Sequence, residues 1–530
     1  MVALLDRVGG TSGAGVIRRD GRRVPVVARY RVLGGERVGF EVGSYDRGRV
    51  LVIDPVWEYS TYLGGASNEE AHGIAVDGAG AAYVTGQVFS TNFPTTTGAV
   101  QTANAGSWDV FVAKLNAAGG LVWFKQGGGP GIDRALKLAL GSNDVLAITG
   151  EFLGSATFQG QPMTSVGGTA DMFLAQLDKA TGTLIWLRQG GGGAGTDRPG
   201  GMSIAADGSI CVAGEFRGSA TWDGQGLTSM LNPDTGVPSA DVFIAKWSAA
   251  GAIQWVRSGT AKYDDRAVDV VHDNAGNIFV TGQFSDTITF DAVHDNALLN
   301  ASFLVKYDSD GHEDWFRRFG GAGFNHVRDM VVGPDGRLLL VGDVQGTMVW
   351  SGPPVVSIPA GFTDAYYLLA VSTAGALLDH ETMGSAEGVG VNALSVWNDD
   401  IAVLGWFQCQ FSGLAQHYGA NGIFMATGTE DLFVARHSAS DLSLNEAQQF
   451  GGRSAKSPGA VAHTAPGQVI FTGSFQQSLI FPGGPGFTVD PGTAIPSVLG
   501  NGVSQYCSDS NYGSFTGVQS AGLTDGFIAR

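Results

Sequence analysis

The segment Asp109-Val-Phe-Val-Ala-Lys114 comes back six more times along the chain. The copies start at Asp171, Asp241, Ala301, Asp364, Asp431 and Asp525, each with Phe or Tyr two places further on. From Phe111 to Phe173, Phe243 and Phe303 the steps are 62, 70 and 60 residues. A unit of this kind cannot bury its own apolar face, so copies must pack on one another in a stack or a ring.

Two further segments keep the same period. One is an apolar run that ends in glycine, as in Tyr83-Val-Thr-Gly86, Ala147-Ile-Thr-Gly150, Cys211-Val-Ala-Gly214 and Phe279-Val-Thr-Gly282. It continues as Leu340-Val-Gly342, Ala402-Val-Leu-Gly405 and Ile470-Phe-Thr-Gly473. A Gly/Asn/Asp turn and another short apolar run precede it, which reads as a hairpin. The other segment is centred on tryptophan, at Trp123, Trp186, Trp255 and Trp315, with weaker copies at Leu377–Met383 and Leu444–Phe450. Each unit therefore predicts four short strands, here called A to D. The 82 glycines suit many tight turns, where φ > 0 carries no steric cost.

The fold expected is all-β: a seven-bladed β-propeller of four-stranded blades. The seventh copy of the third strand ends the chain, so its outer strand must come from elsewhere. Val56–Gly65, with Trp57 and a trailing Gly-Gly, supplies it and hides two sheet edges. The expected domains are residues 1–55, outside the ring, and 56–530, the propeller.

Blade one reads Tyr59-Ser-Thr-Tyr-Leu-Gly-Gly65, His72-Gly-Ile-Ala-Val-Asp77, Ala82-Tyr-Val-Thr-Gly86, Asn92-Phe-Pro94 and Asp109-Val-Phe-Val-Ala-Lys114. It resembles the bacterial SBBP-type β-propeller repeat, closely over 57–125 and more loosely in the other blades. Val24–Pro55, with Ala28-Arg-Tyr30 and Gly39-Phe-Glu-Val42, resembles the tail of the β-rich domain that often precedes such propellers. The resemblance implies an exported protein, extracellular or at the cell surface, and assigns no catalytic residues.

The net charge of −18, from 31 basic and 49 acidic residues, disfavours nucleic acid and anionic membranes as partners. No apolar run nears the ~18 residues of a membrane span, and Met1–Gly10 lacks a basic-then-apolar leader. Three cysteines give neither a disulfide framework nor a zinc pattern. Cys211 reads as a buried thiol, and whether Cys409 pairs with Cys507 stays open.

Long B–C connections, at 90–107, 217–240, 285–300 and 476–524, place any functional loops on one face. Aromatics recur in them at Phe158, Trp222, Phe290, Trp350, Phe411 and Phe481, which reads as packing under each rim. The D–A loops carry Glu69-Glu70, Asp133-Arg134, Asp197-Arg198, Asp265-Arg266 and Asn325-His326 near the mouth of a central channel. One reading is Asp–Arg pairing and inter-blade hydrogen bonding. The other is a ligand site, or a Ca2+ site whose oxygens come from these acids and Asp264. Asp308-Ser-Asp-Gly-His-Glu313 is half a calcium loop but sits where each blade has a hairpin turn. No His-Glu-x-x-His, P-loop ending or nucleophile–base pair is present. The function expected is non-catalytic binding of a protein or glycan by a monomer. The alternative is a polysaccharide lyase or hydrolase with acids at the channel mouth.

Overall fold

Strand Val145–Leu153 is buried on both faces along almost its whole length. It pairs with Arg134–Leu140 on one side and Ala170–Asp178 on the other, and Leu184–Gly192 pairs next. Such a sheet needs a neighbour against each face, which is why its strands read as continuous apolar runs rather than alternating ones. The neighbours are other copies of the unit. One core cluster joins Tyr83, Val110, Val112 and Trp123 to Leu146, Ile148, Phe152 and Phe173 of the following copy.

These features come from a computed structural model, which describes residues 60–480 apart from short stretches, strands between 14 and 53, and strands at 517–519 and 525–529. The chain divides into two compact units, Met1–Glu58 and Tyr59–Arg530. In the first, Ala14–Ile17, Arg23–Val26 and Leu51–Ile53 form a three-stranded sheet, and Ala28–Gly34 pairs with Arg37–Val42.

The second unit is an all-β propeller with no helix among the described residues. Six blades, not the expected seven, each come from one contiguous stretch. Their innermost strands are Glu69–Val76, Arg134–Leu140, Arg198–Ile204, Arg266–His272, Asn325–Val332 and Val389–Trp397. A further four-stranded sheet is composite: Lys456–Ala465, Gln468–Phe475, Asp525–Ala529 and Ser60–Leu63, with Gly526 opposite Leu63 and Ala529 opposite Ser60.

Four strands per blade is also corrected, because the first five blades carry six. The extra pair is a hairpin lent by the B–C connection of the next blade. Ser155–Phe158 pairs with Gly127 and Gly128 of the blade before it, and Gln161–Thr164 adds the outer edge. Ser219–Trp222 does the same on Gly190–Gly192. Gln159-Gly160 and Asp223-Gly224 all have φ > 0, the geometry of a two-residue hairpin turn whose twist matches its strands. The B–C segments of the second to sixth blades thus supply inter-blade sheet, while 90–107 in the first blade holds no strand among the described residues. Phe158, Trp222, Phe290 and Trp350 are buried, in line with the packing reading. A Cβ on Gly127, Gly190 or Gly259 would strike Phe158, Trp222 or Phe290, so the glycines of the D strands are seats for these rings. The side chain of Phe411 and all of Phe481 lie outside the described residues.

The tryptophans of the D strands bind blades at the opposite end. Trp123, Trp186, Trp255 and Trp315 donate Nε1–H to the carbonyls of Lys179, Ala249, Ser309 and Thr373, in the C–D turn of the next blade, at 3.1–3.4 Å. Arg188, Arg257 and Arg317 reach the same turns and lie over their own tryptophan rings. Asp308–His312 is one of these turns: Asp308 Oδ1 accepts from the N–H groups of Asp310 and His312, and Gly311 has φ 83°. Cys211 is a buried free thiol, its pKa pushed up by burial to about 12. Cys409 and Cys507 lie outside the described residues.

Candidate functional site

A glycine inside each second strand builds the channel mouth. Gly214 faces a bulge between Pro199 and Gly201 of the innermost strand. The bulge brings the Arg198 carbonyl so close that no Cβ fits on Gly214, and Gly86, Gly150, Gly282, Gly342 and Gly405 stand in the same relation to their blades. Just before the bulge, the first residues of the innermost strand turn toward the mouth.

The acids predicted there divide by position. Glu69, Asp133, Asp197, Asp265 and Asn325 are buried, with at most 2% of their surface exposed. The four carboxylates among them accept backbone N–H groups and do not pair with the arginines beside them, whereas Asn325 donates its Nδ2 to the Gly323 carbonyl. Glu69 accepts from Gly65 at 2.8 Å and Ser90 at 3.1 Å. Asp133 accepts from Gly129 at 2.7 Å and Leu153 at 3.1 Å. Asp197 accepts from Gly192 at 2.6 Å and Arg217 at 3.0 Å. Each of these three carboxylates therefore ties the outer strand of one blade to the second strand of the next, whereas Asp265 holds only the Ser285 N–H. The expected Asp–Arg pairs are not formed.

The following residues, Glu70, Arg134, Arg198, Arg266 and His326, stand opposite Gln87, Glu151, Glu215, Gln283 and Asp343 on the second strands. Gln87 donates to Glu70 at 2.6 Å. Glu151 lies 3.3 Å from Arg134 and 3.9 Å from Arg198 of the next blade. Arg266 donates twice to Gln283 Oε1, at 3.0 and 2.7 Å. Asp343 holds His326 at 3.0 Å and Arg328 at 2.7 Å. The result is a belt of alternating charge across the second to fifth blades, with the Arg134 and Arg198 side chains 31% and 46% exposed. The second-strand members were missed as site residues, although Glu151-Phe152, Glu215-Phe216 and Gln283-Phe284 carry a visible period. His72 also lines the mouth; burial, with Arg134 and Arg198 nearby, lowers its pKa to about 4.

Four of the predicted residues meet in one pocket. Asp265, Arg266, Asn325 and His326, with Glu215, Asp264, Gln283 and Phe284, line about 200 Å³. The others are spread round the ring. A groove of about 390 Å³ lies on the outer strands, at Gln161–Met163 and Leu184–Gln189, with Arg188 its single charged residue. No three His, Cys, Asp or Glu converge as a metal site among the described residues.

Burial raises the carboxyl pKa of Asp133, Asp171 and Asp241 to about 6 and of Asp197 to about 7. A raised folded pKa means that folding takes up protons above the unfolded value near 3.8. The stability these groups add is complete below that value and is lost as pH rises through 6 to 7. Asp343 and Asp400, whose basic partners outweigh burial and lower their pKa, act in the opposite sense at acid pH, and His72 and His272, lowered by burial to about 4, do so between pH 4 and 6.5, where they offset part of the carboxyl contribution. The melting temperature is therefore expected to be higher at pH 5 than at pH 8, with a flatter profile in Asp197→Asn. A melting temperature that rises steadily from pH 5 to 8 contradicts this.

The fold places the chain among the all-β propellers. Residues 58–94 match the SBBP family, a beta-propeller repeat, in keeping with the propeller arrangement of the second unit. Residues 17–56 match the family described as a domain of unknown function, DUF7948. The regulatory protein FlaEY of Caulobacter vibrioides is 26% identical over 278 residues, 48% of this chain and 27% of that protein. The chain thus spans about a quarter of that relative. A catalytically inactive virginiamycin B lyase from Staphylococcus aureus with quinupristin aligns at 9% identity over 89% of this chain and 98% of its own, with a TM-score of 0.37. A mutant of the Synechocystis apocarotenoid oxygenase aligns at 9% identity over 81% and 88%, with a TM-score of 0.35. Scores this low carry no argument about the site. No helix among the described residues is long and apolar enough to cross a membrane.

Proposed function

We propose that this is a non-catalytic binding propeller, exported or displayed at the cell surface, that meets a protein or glycan at the channel mouth. The ring counts seven blades in this reading, the composite sheet being the last. The observation that carries it is the charged belt. Arginine and glutamate side chains of the second and third blades stand together there, the arginines partly exposed, on strands rather than on loops. The regulatory role named for the Caulobacter relative agrees with action through binding.

A lyase or hydrolase is not favoured. Asp133 and Asp197, two of the acids expected to act at the mouth, hold backbone N–H groups with both oxygens and so are not free to serve as bases.

The test screens the purified chain against arrays of oligosaccharides and of extracellular proteins, then repeats the hits with Arg134→Ala/Arg198→Ala. Affinity is expected to fall at least about tenfold, as for exposed charged contacts at the heart of an interface. Cleavage of a polysaccharide by the parent chain, abolished in Glu151→Gln, would overturn the reading.

A further inference from the structure

The repeat breaks at one place on the mouth, and the break leaves hydrogen-bonding groups unspent. Asp133 and Asp197 each use both oxygens, and one donor is the N–H of Gly129 or Gly192. Ala261 stands at that position in the third blade, and its N–H turns instead to Asp241 Oδ1, at 3.2 Å. Asp265 keeps only the Ser285 N–H, at 2.7 Å on Oδ1. Its Oδ2 is buried and has no partner among the described residues.

The next blade departs from the pattern as well. Asn325 replaces the aspartate, its Nδ2 donates to the Gly323 carbonyl at 3.0 Å, and its Oδ1 is buried without a partner. Both acceptors belong to residues of the 200 Å³ pocket. Glu215, a third acceptor in the lining, stands between Arg198 and Arg266 and makes no hydrogen bond among the described residues. Asp264 is committed to Arg217 and to the Ala240 N–H. Arg266 is committed to Gln283. Leaving buried acceptors unmade costs about 1–3 kcal/mol each, a cost that a matching donor removes.

An anion does not fit two carboxylates and an amide oxygen. A divalent cation is held best by three or more carboxylate, imidazole or thiolate ligands together, and no such group is present among the described residues. A compact group with three N–H donors and one positive charge does fit. We propose that the pocket between the third, fourth and fifth blades binds a primary ammonium group, held by Asp265 Oδ2, Asn325 Oδ1 and Glu215. This deepens the binding reading of the same face. The ammonium belongs either to a lysine side chain of a partner or to a small free amine.

Proton linkage follows from the same residues. Burial, with Asp241, Asp264 and Asp286 adding repulsion, raises the Asp265 carboxyl to about 9, so an incoming ammonium displaces a proton. The other charged groups facing the pocket are Glu215, Arg266 and His326. Affinity should therefore strengthen from pH 6 to 8, by at most about tenfold per unit.

The probes are Nα-acetyl-lysine amide, its Nε-acetylated form and n-butylamine, followed by calorimetry on the full chain in two buffers of different ionisation enthalpy. Binding of the lysine probe but not its acetylated form, with proton release, is expected. Asp265→Asn should abolish it. Glu215→Gln, which touches no backbone latch, should weaken it about tenfold if Asp265→Asn fails to fold. Butylamine binding as tightly as the lysine probe assigns the pocket to free amines; preference for the lysine probe assigns it to a protein side chain. No binding of any amine between pH 6 and 9, or equal binding of the acetylated probe, overturns the proposal. Amine binding that survives Arg134→Ala/Arg198→Ala while macromolecule binding is lost separates this pocket from the belt.

Discussion

Gly214→Ala is expected to destabilise the propeller by about 3 kcal/mol, the upper range for forcing one methyl into a packed site. The added Cβ meets the Arg198 carbonyl, the Phe243 ring and the Pro199 backbone at once. Two of these are backbone, and the ring is buried, so nothing can rotate out of the way. Relief would require straightening the bulge at Pro199–Gly201, which would carry Arg198 away from Glu151. Loss of stability and loss of the belt's geometry should therefore come together. Gly78→Ala is the control, because nothing lies within 4 Å of its Cβ position. The measurement is the midpoint of chemical unfolding for both variants. If Gly214→Ala unfolds where Gly78→Ala does, the bulge is not held in the way described.

The glycine was legible in the sequence as a punctuation mark, and its reason was not. A run such as Cys211-Val-Ala-Gly214 reads as a strand ending in glycine, whereas the strand runs on to Arg217, and only the neighbouring strand shows what the glycine makes room for. The lent hairpins are a similar case. Ser155-Ala-Thr-Phe158 and Ser219-Ala-Thr-Trp222 are near copies, each followed by a two-residue turn that ends in glycine. That pattern announces a hairpin. It does not announce the partner, because four alternating residues fit any free sheet edge, and so the segments read as loops. For the channel-mouth acids the inter-blade hydrogen bonding is as expected, and the Asp–Arg pairing failed for a different reason. Asp133-Arg134 and Asp197-Arg198 look like ion pairs when written side by side, but successive residues of a strand point to opposite faces. The aspartate turns inward to backbone N–H groups, and the arginine meets a glutamate from another strand. The turn at Asp308 and the buried rim aromatics were read correctly, since each depends on local spacing alone.

Removing residues 1–63 is expected to open the propeller, whereas removing residues 1–58 is not. Ser60–Leu63 is the outer strand of the composite sheet, and its pairing partner is Asp525–Ala529, from the other end of the chain. A core cluster joins Ile470 and Ile528 of that sheet to Ala71, Ile74 and Val84 of the first blade. In a ring of copies, each blade is held mainly by its neighbours, so stability is close to a sum of blade and interface contributions. Removal of the outer strand leaves Asp525–Ala529 as a bare edge with unpaired N–H and C=O groups. Its loss weakens the composite sheet and both interfaces that depend on it. The shorter truncation keeps all these pairs and removes only the first compact unit. Hydrogen exchange reads the difference directly. Amides of Asp525–Ala529 and Gln468–Phe475 should exchange roughly 100-fold faster in 64–530 than in 59–530, while those of Ala170–Asp178, in the second blade, should change little. Equal protection in the two truncations would show that the composite sheet stands without its N-terminal strand, and the two chain ends would then not be what closes the ring.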